Sequence, residues 1–170
     1  EANAIRECVE AARRRYTRDE VEIIVVDGGS TDGTLSRVPS GVTAIRSERG
    51  RAVQMNRGAT QARGSILLFC HADSRLPPEW RAPVIEALQQ PEVSGGAFQI
   101  AYHPPAGILH LINRLNFWSD WRVIHGDRAQ FTTRETFEAV GGFPEIPLME
   151  DVELSRALHQ RGRLMLLPQR

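Results

Sequence analysis

Val21-Glu22-Ile23-Ile24-Val25-Val26-Asp27-Gly28-Gly29-Ser30-Thr31-Asp32-Gly33-Thr34 is the stretch on which the fold turns. Its first six residues are nearly all β-branched and apolar, the pattern of a strand covered on both faces, as in a parallel sheet. The strand ends at an acid, and the chain changes at once to glycine and small polar residues. The dinucleotide fingerprint requires glycine at its third position, where Ser30 stands; the phosphate loop requires lysine where Gly33 stands. Both familiar phosphate motifs fail. What remains is a strand, a flexible turn and polar residues able to cap the next helix. Turn-plus-cap and nucleotide binding both stay open on these residues.

Working outward, Ile5, Cys8, Val9, Ala12 and Tyr16 share one face of a helix over about 2–16. A short helix follows Gly33 and ends at Pro39, and Val42–Arg46 reads as a short strand. Ala52, Val53, Met55, Ala59 and Ala62 predict a small-residue helix over 51–62, and Ile66–Cys70 a second buried strand. Helices are expected at about 79–90, 106–121, 134–140 and 150–161. Strands are expected at 95–102, 129–132 and 164–167. Alternating strands and helices predict an α/β, three-layer domain with a mostly parallel central sheet. In such sheets ligands bind beyond the carboxyl ends of the strands. Asp27 and Asp73 stand at two of those ends.

The 170 residues suit one domain with a single substantial core. Acidic and basic residues balance at 21 each, so no overall field favours nucleic acid. Every Lys or Arg position is Arg, which excludes Schiff-base and phosphate-loop lysine chemistry. Cys8 and Cys70 have no metal-like spacing and are expected as reduced thiols packed as small hydrophobes. No apolar run reaches the ~18 residues of a membrane span. A cytoplasmic setting is the default expectation. Because α/β domains usually lead with a strand and none precedes the first helix, a leading strand before Glu1 is also expected.

The stretch Val25–Thr34 resembles the signature of the family 2 glycosyltransferases, which have the GT-A fold, a Rossmann-related sandwich. Phe69-Cys70-His71-Ala72-Asp73 resembles that family's acid-x-acid metal motif. Gly141-Gly142-Phe143, followed by Glu150-Asp151 opening a helix, resembles its Gly-Gly-Phe…Glu-Asp segment. The three fall in the family's order and cover essentially the whole chain. The resemblance implies inverting transfer of a sugar from a nucleoside diphosphate sugar to an acceptor hydroxyl. It divides the chain into a donor and metal half, about 1–103, and an acceptor half with the catalytic base, about 104–170. Asp27, Gly29, Ser30, Asn56 and Ala72 would border the donor, and Asp73, with His71, would hold Mg2+ or Mn2+ against the diphosphate. Asp151 would be the general base, with Glu150 beside it. Two positions depart from the pattern: Gly28 stands where a second acid is frequent, and His71 replaces the first acid of the metal motif. They leave base selectivity and the role of His71 open.

Arg49, Arg51 and Arg57 cluster at the start of the 51–62 helix, where a helix N-terminus with guanidinium groups suits phosphate. Arg51 is the first choice for a donor contact. His125, Gly126 and Asp127 precede the strand that in the family borders the acceptor side. Trp118 continues the apolar stripe of Ile108, Leu111, Ile112 and Leu115, so packing competes with sugar stacking. That helix also allows peripheral membrane contact, with Arg114 and Arg122 as its nearby cations. A carbohydrate or lipid-linked acceptor and a homodimer remain open. Two other functions compete. A nucleotidyltransferase acting on a sugar phosphate would want a basic glycine-rich loop near the amino terminus, which is missing. A catalytically silent nucleotide-binding module draws support only from Gly28 and His71.

Overall fold

The second half of the β-branched run, at 24–26, and the apolar runs at 66–69 and 164–167 become strands, and amphipathic stretches between them become helices. A computed structural model describes residues 4–99, 124 and 128–168. In chain order these hold α1 (Ala4–Arg13), β1 (Ile24–Asp27), a 3-10 turn (Thr34–Arg37), β2 (Thr43–Arg46), α2 (Arg51–Gln61), β3 (Ile66–Phe69) and α3 (Arg81–Leu88). There follow β4 (Val93–Phe98), β5 (Gln130–Thr133), α4 (Arg134–Ala139), α5 (Glu150–His159) and β6 (Arg163–Leu167). The expected helix at 106–121, with Trp118, and the expected strand residues beyond Gln99 lie outside the described residues, as do His125, Gly126 and Asp127.

β1 pairs in parallel with β2, from Ile24 opposite Thr43 to Asp27 opposite Arg46. The other four strands form a sheet in the order β3-β5-β4-β6. β5 runs against both β3 and β4, while β4 and β6 are parallel. The pairing is therefore mixed: β3, β4 and β6 share a direction and β5 alone is reversed. All six residues of β4 are buried. Its Gly96 lets two strands meet closely, since a Cβ there would lie 2.2 Å from the Met165 carbonyl oxygen.

The period-2 alternation of the strands separates two cores. Leu67, Ala97 and Leu164 face one side, against Ala52 and Ala59 of α2, Phe137 of α4, and Leu154 and Leu158 of α5. Phe98, Phe131 and Leu167 face the other, against Val84 and Ala87 of α3 and the flank of α1 through Ala12 and Tyr16. This is the three-layer arrangement. Trp80 ties α1 to α3 by donating its indole N–H to the Ala12 carbonyl at 2.9 Å and meeting the Tyr16 ring edge-on at 5.5 Å. Arg134, opening α4, donates to the carbonyls of Ala59, Ala62 and Gly64 and so satisfies the last turn of α2.

Residues 21–26, expected to be covered on both faces, are only half-buried. Among the described residues, the facing edges of β1 and β3 pair with no other strand. A cleft of about 860 Å³ is lined by both strands and by α1, α2 and α3. Among the described residues no helix is long and apolar enough to cross a membrane.

Candidate functional site

The glycine-rich loop is built around Asp27. Its carboxylate, at the end of β1 and 4% exposed, accepts the backbone N–H of Gly29 at 3.2 Å and of Ser30 at 3.1 Å. Hydrogen bonding from the Ser30 side chain is the main cause holding Asp27 below the usual carboxylate range; the two backbone N–H groups and Arg46 add to it, and burial opposes it. Gly29 takes φ 93° and Gly33 φ 78°, both left-handed, where other residues are strained. Asp32 accepts the Thr34 backbone N–H at 3.1 Å and the Thr34 hydroxyl, which depresses its pKa as well. The turn is thus real, but the expected polar cap is not: the N-cap of the 3-10 turn is Gly33, which has no side chain to cap it, and Asp27 is left at the rim of the cleft.

Gly28 is the position where the family resemblance leads one to look for a second acid. A Cβ there would lie 2.9 Å from Gln54 Oε1, and Gln54 itself donates to the Val26 carbonyl at 3.0 Å. The side chain from α2 fills that space. Two residues of α2 likewise have packing duties. Gly58 brings the helix down on Val26, where a Cβ would meet Val26 Cγ2 at 3.2 Å. Asn56 donates its amide to the Phe143 carbonyl at 2.8 Å and accepts the Phe143 N–H at 2.9 Å. Its amide group is therefore committed to the Gly-Gly-Phe turn. Gly142, at φ 73°, makes that approach possible, because a Cβ would sit 2.8 Å from Asn56 Oδ1.

That turn leads to Glu150 and Asp151 in the first turn of α5. Met149, which precedes them, adopts φ 69°, the one non-glycine residue with positive φ among those described. Glu150 is 3% exposed, and its Oε1 has no hydrogen-bond partner among the described residues. Arg51, at the N-terminus of α2, places Nη1 3.7 Å from that oxygen. Asp151 is also buried, and its carbonyl accepts the Gln130 amide at 3.1 Å and the Ser155 hydroxyl at 2.8 Å. Gln130 and Ser155 bond each other at 3.2 Å, which pins the start of α5 to β5. Sequence reasoning missed both; it is their buried hydrogen bonds, and no pattern along the chain, that tie them to Asp151.

His71, Ala72 and Asp73 form the turn after β3, closed by the Ser74 N–H donating to the His71 carbonyl at 3.0 Å. The Asp73 carboxylate is exposed, and the His71 ring is half-buried. Among the described residues no three acidic, His or Cys side chains gather into a metal cage. One free carboxylate with a nearby imidazole still suits a hard divalent ion that takes its other oxygens from phosphate and water. Asp27, Ser30, Arg51, His71, Ala72 and Asp73 all line the one cleft. Cys8 and Cys70 line it too. They are free thiols, as expected, but the fold brings their sulfurs within 4.0 Å.

Residues 1–143 match the family described as glycosyl transferase family 2. The chain belongs to glycosyltransferase family 2. Among curated relatives, an uncharacterized glycosyltransferase of Bacillus subtilis is 37% identical over 81 residues, 44% of this chain and 21% of its own. One from Mycobacterium tuberculosis is 35% identical over 92 residues, 51% of this chain and 35% of its own. Among solved structures, the mannosyltransferase PcManGT of Pyrobaculum calidifontis, in complex with GDP-Man and Mn2+, superposes with a TM-score of 0.74 at 27% identity. It covers 99% of this chain and 52% of its own. S. aureus TarS in complex with UDP-GlcNAc, at 17% identity and TM-score 0.73, covers 96% of this chain and 52% of its own, and shares the fold. These neighbours are GT-A glycosyltransferases, and the family 2 chain has that fold. It spans about half of each solved neighbour and a fifth to a third of the curated relatives.

Proposed function

We propose that this chain forms the donor-binding and catalytic portion of a glycosyltransferase that moves a sugar, with inversion, from a nucleoside diphosphate sugar to an acceptor hydroxyl. One observation carries the reading: Arg51 lines the cleft with Asp27 and Asp73 and also pairs with Glu150 at 3.7 Å. It thereby links the two strand-end acids to the pair of acids at the start of α5. The likeness to a mannosyltransferase solved with GDP-Man and Mn2+ supports the donor class and the divalent ion.

In this reading the Asp27 loop, with Gly29 and Ser30, receives the nucleoside, and Ala72 borders it. Arg51 and the N-terminus of α2 receive the diphosphate, where partial positive charge and guanidinium reinforce each other. Asp73, with His71 as its neighbour, would hold Mg2+ or Mn2+, which supplies Lewis-acid stabilisation of the leaving diphosphate. Asn56 is a positioning residue, because its amide is spent on Phe143. Asp151 takes the proton from the acceptor hydroxyl as that oxygen bonds to the anomeric carbon and the bond to the diphosphate oxygen breaks. A sugar hydroxyl is too weak an acid to ionise first, so base and acceptor must meet within hydrogen-bond reach. Ile146, Leu148 and Met149 are exposed apolar residues directly before these acids. They suit an acceptor with an apolar portion, such as a lipid-linked sugar.

The test is a panel of nucleoside diphosphate sugars, GDP-mannose among them, incubated with the full-length protein and Mn2+ while free nucleoside diphosphate is followed. Release with one donor, lost in Asp73→Asn, is expected. Pyrophosphate formed from a nucleoside triphosphate and a sugar phosphate would support a nucleotidyltransferase instead. Nucleotide binding with no turnover of any donor would support a silent module.

A further inference from the structure

We propose that Cys8 and Cys70 form a dithiol modification site that hydroperoxides close to a disulfide, restraining the turn that carries His71 and Asp73. The two residues are 62 positions apart, yet their sulfurs lie 4.0 Å apart, where the flank of α1 crosses the end of β3. Both reach the same acceptor: the His71 carbonyl oxygen is 3.4 Å from Cys8 Sγ and 3.6 Å from Cys70 Sγ. The two thiol hydrogens are thus shared between the sulfurs and that carbonyl. Both side chains are half-buried and line the open cleft, so a small oxidant has a path to them. A disulfide spans about 2.05 Å, and closing from 4.0 Å requires a combined sulfur travel of about 2 Å.

Oxidation begins at one of the two sulfurs, taken as Cys8. Its thiolate attacks the terminal oxygen of a hydroperoxide, the O–O bond breaks, and an alcohol or water leaves after taking a proton. Cys8 is then a sulfenic acid. The Cys70 sulfur attacks the Cys8 sulfur, and the hydroxyl departs as water with the Cys70 proton. Two thiols lose two electrons, and one peroxide is reduced.

Closure has a defined local consequence. It removes both S–H donors from the His71 carbonyl and fixes α1 to the residue immediately before the turn. The Ser74 N–H then remains as the donor to that carbonyl, so the turn tightens around it. Asp73 lies within that turn.

The experiment treats the reduced full-length protein with a small excess of hydrogen peroxide. Non-reducing peptide mass mapping then finds the linkage, and amide hydrogen exchange is followed over residues 70–74. The expected result is a Cys8–Cys70 peptide pair lighter by two hydrogens, restored by dithiothreitol, with exchange over 70–74 slowed at least about 5-fold. Cys8→Ser should show neither change, and its reduced exchange profile shows whether the variant keeps the fold. Free thiols, or separate sulfinic acids without a link, overturn the assignment. A linked pair with unchanged exchange over 70–74 overturns its coupling to the turn. Neither readout requires a donor or an acceptor, so the result stands apart from that of the transferase assay.

Discussion

Replacing Asn56 with alanine should cost far more stability than an exchange of one half-buried polar residue on a helix suggests. The amide makes two hydrogen bonds to one residue, donating to the Phe143 carbonyl at 2.8 Å and accepting its N–H at 2.9 Å. Phe143 is 2% exposed, so water cannot readily replace either partner. Each lost bond is worth about 1 kcal/mol net, and a buried group left unsatisfied costs about 1–3 kcal/mol. Asn56→Ala should therefore destabilise by roughly 2–4 kcal/mol. With a urea dependence of about 2 kcal/mol/M, the unfolding midpoint should fall by about 1–2 M. Arg57→Ala, one residue along on the exposed side of α2, is the control and should stay within about 0.5 kcal/mol. The assay is urea denaturation of the full-length proteins followed by circular dichroism. A midpoint shift below about 0.3 M for Asn56→Ala would refute the clamp, because α2 would then hold the Gly-Gly-Phe turn by some other contact.

Three further outcomes follow from the same geometry. Gly96→Val should abolish soluble expression, since its Cβ would press on the Met165 carbonyl at 2.2 Å and backbone cannot yield as a side chain can; overpacking of this kind costs about 3 kcal/mol or more. The depressed pKa of Asp27 means that the ionised carboxylate stabilises the folded loop above its unfolded pKa of about 3.9, a contribution lost as pH falls below that toward the folded value. Acid titrations of stability should accordingly show a shallower loss below about pH 4 for Asp27→Asn than for the parent. Arg51→Gln should weaken binding of nucleoside diphosphate by about 10–100-fold in calorimetry, the equivalent of one charged hydrogen bond of about 1.5–3 kcal/mol.

Much of the architecture was legible because it is local. The β-branched run ending at Asp27, the small-residue face of α2 and the acids opening α5 each carry their pattern within a dozen residues. The α/β class and the order of elements follow from those patterns. Reversal of β5 is different: Gln130–Thr133 has the same strand chemistry in either direction, so pairing with β3 and β4 must decide it. The half-buried state of residues 21–26 was equally hidden, because it depends on what lies along the second edge of β1. In the site, the strand-end acids announced themselves, but their supports did not. Asn56 meets Phe143 across 87 positions, Gln130 meets Asp151 across 21, and Cys8 meets Cys70 across 62. No periodicity spans such gaps. Gly28 shows the opposite case, where the chain departs from a family pattern and the neighbour occupying the space, Gln54, is 26 positions away in sequence.

The central claim is that Asp151 is the base of a sugar transfer whose donor binds across Asp27, Arg51 and Asp73. The most direct measurement compares Asp151→Asn with the parent, using the best donor of the panel with Mn2+ and measuring both release and affinity of nucleoside diphosphate. Removing a general base costs about 10²–10⁴-fold in rate, so turnover should fall by at least about 100-fold while affinity stays within about 3-fold. A variant that turns over like the parent would contradict the account.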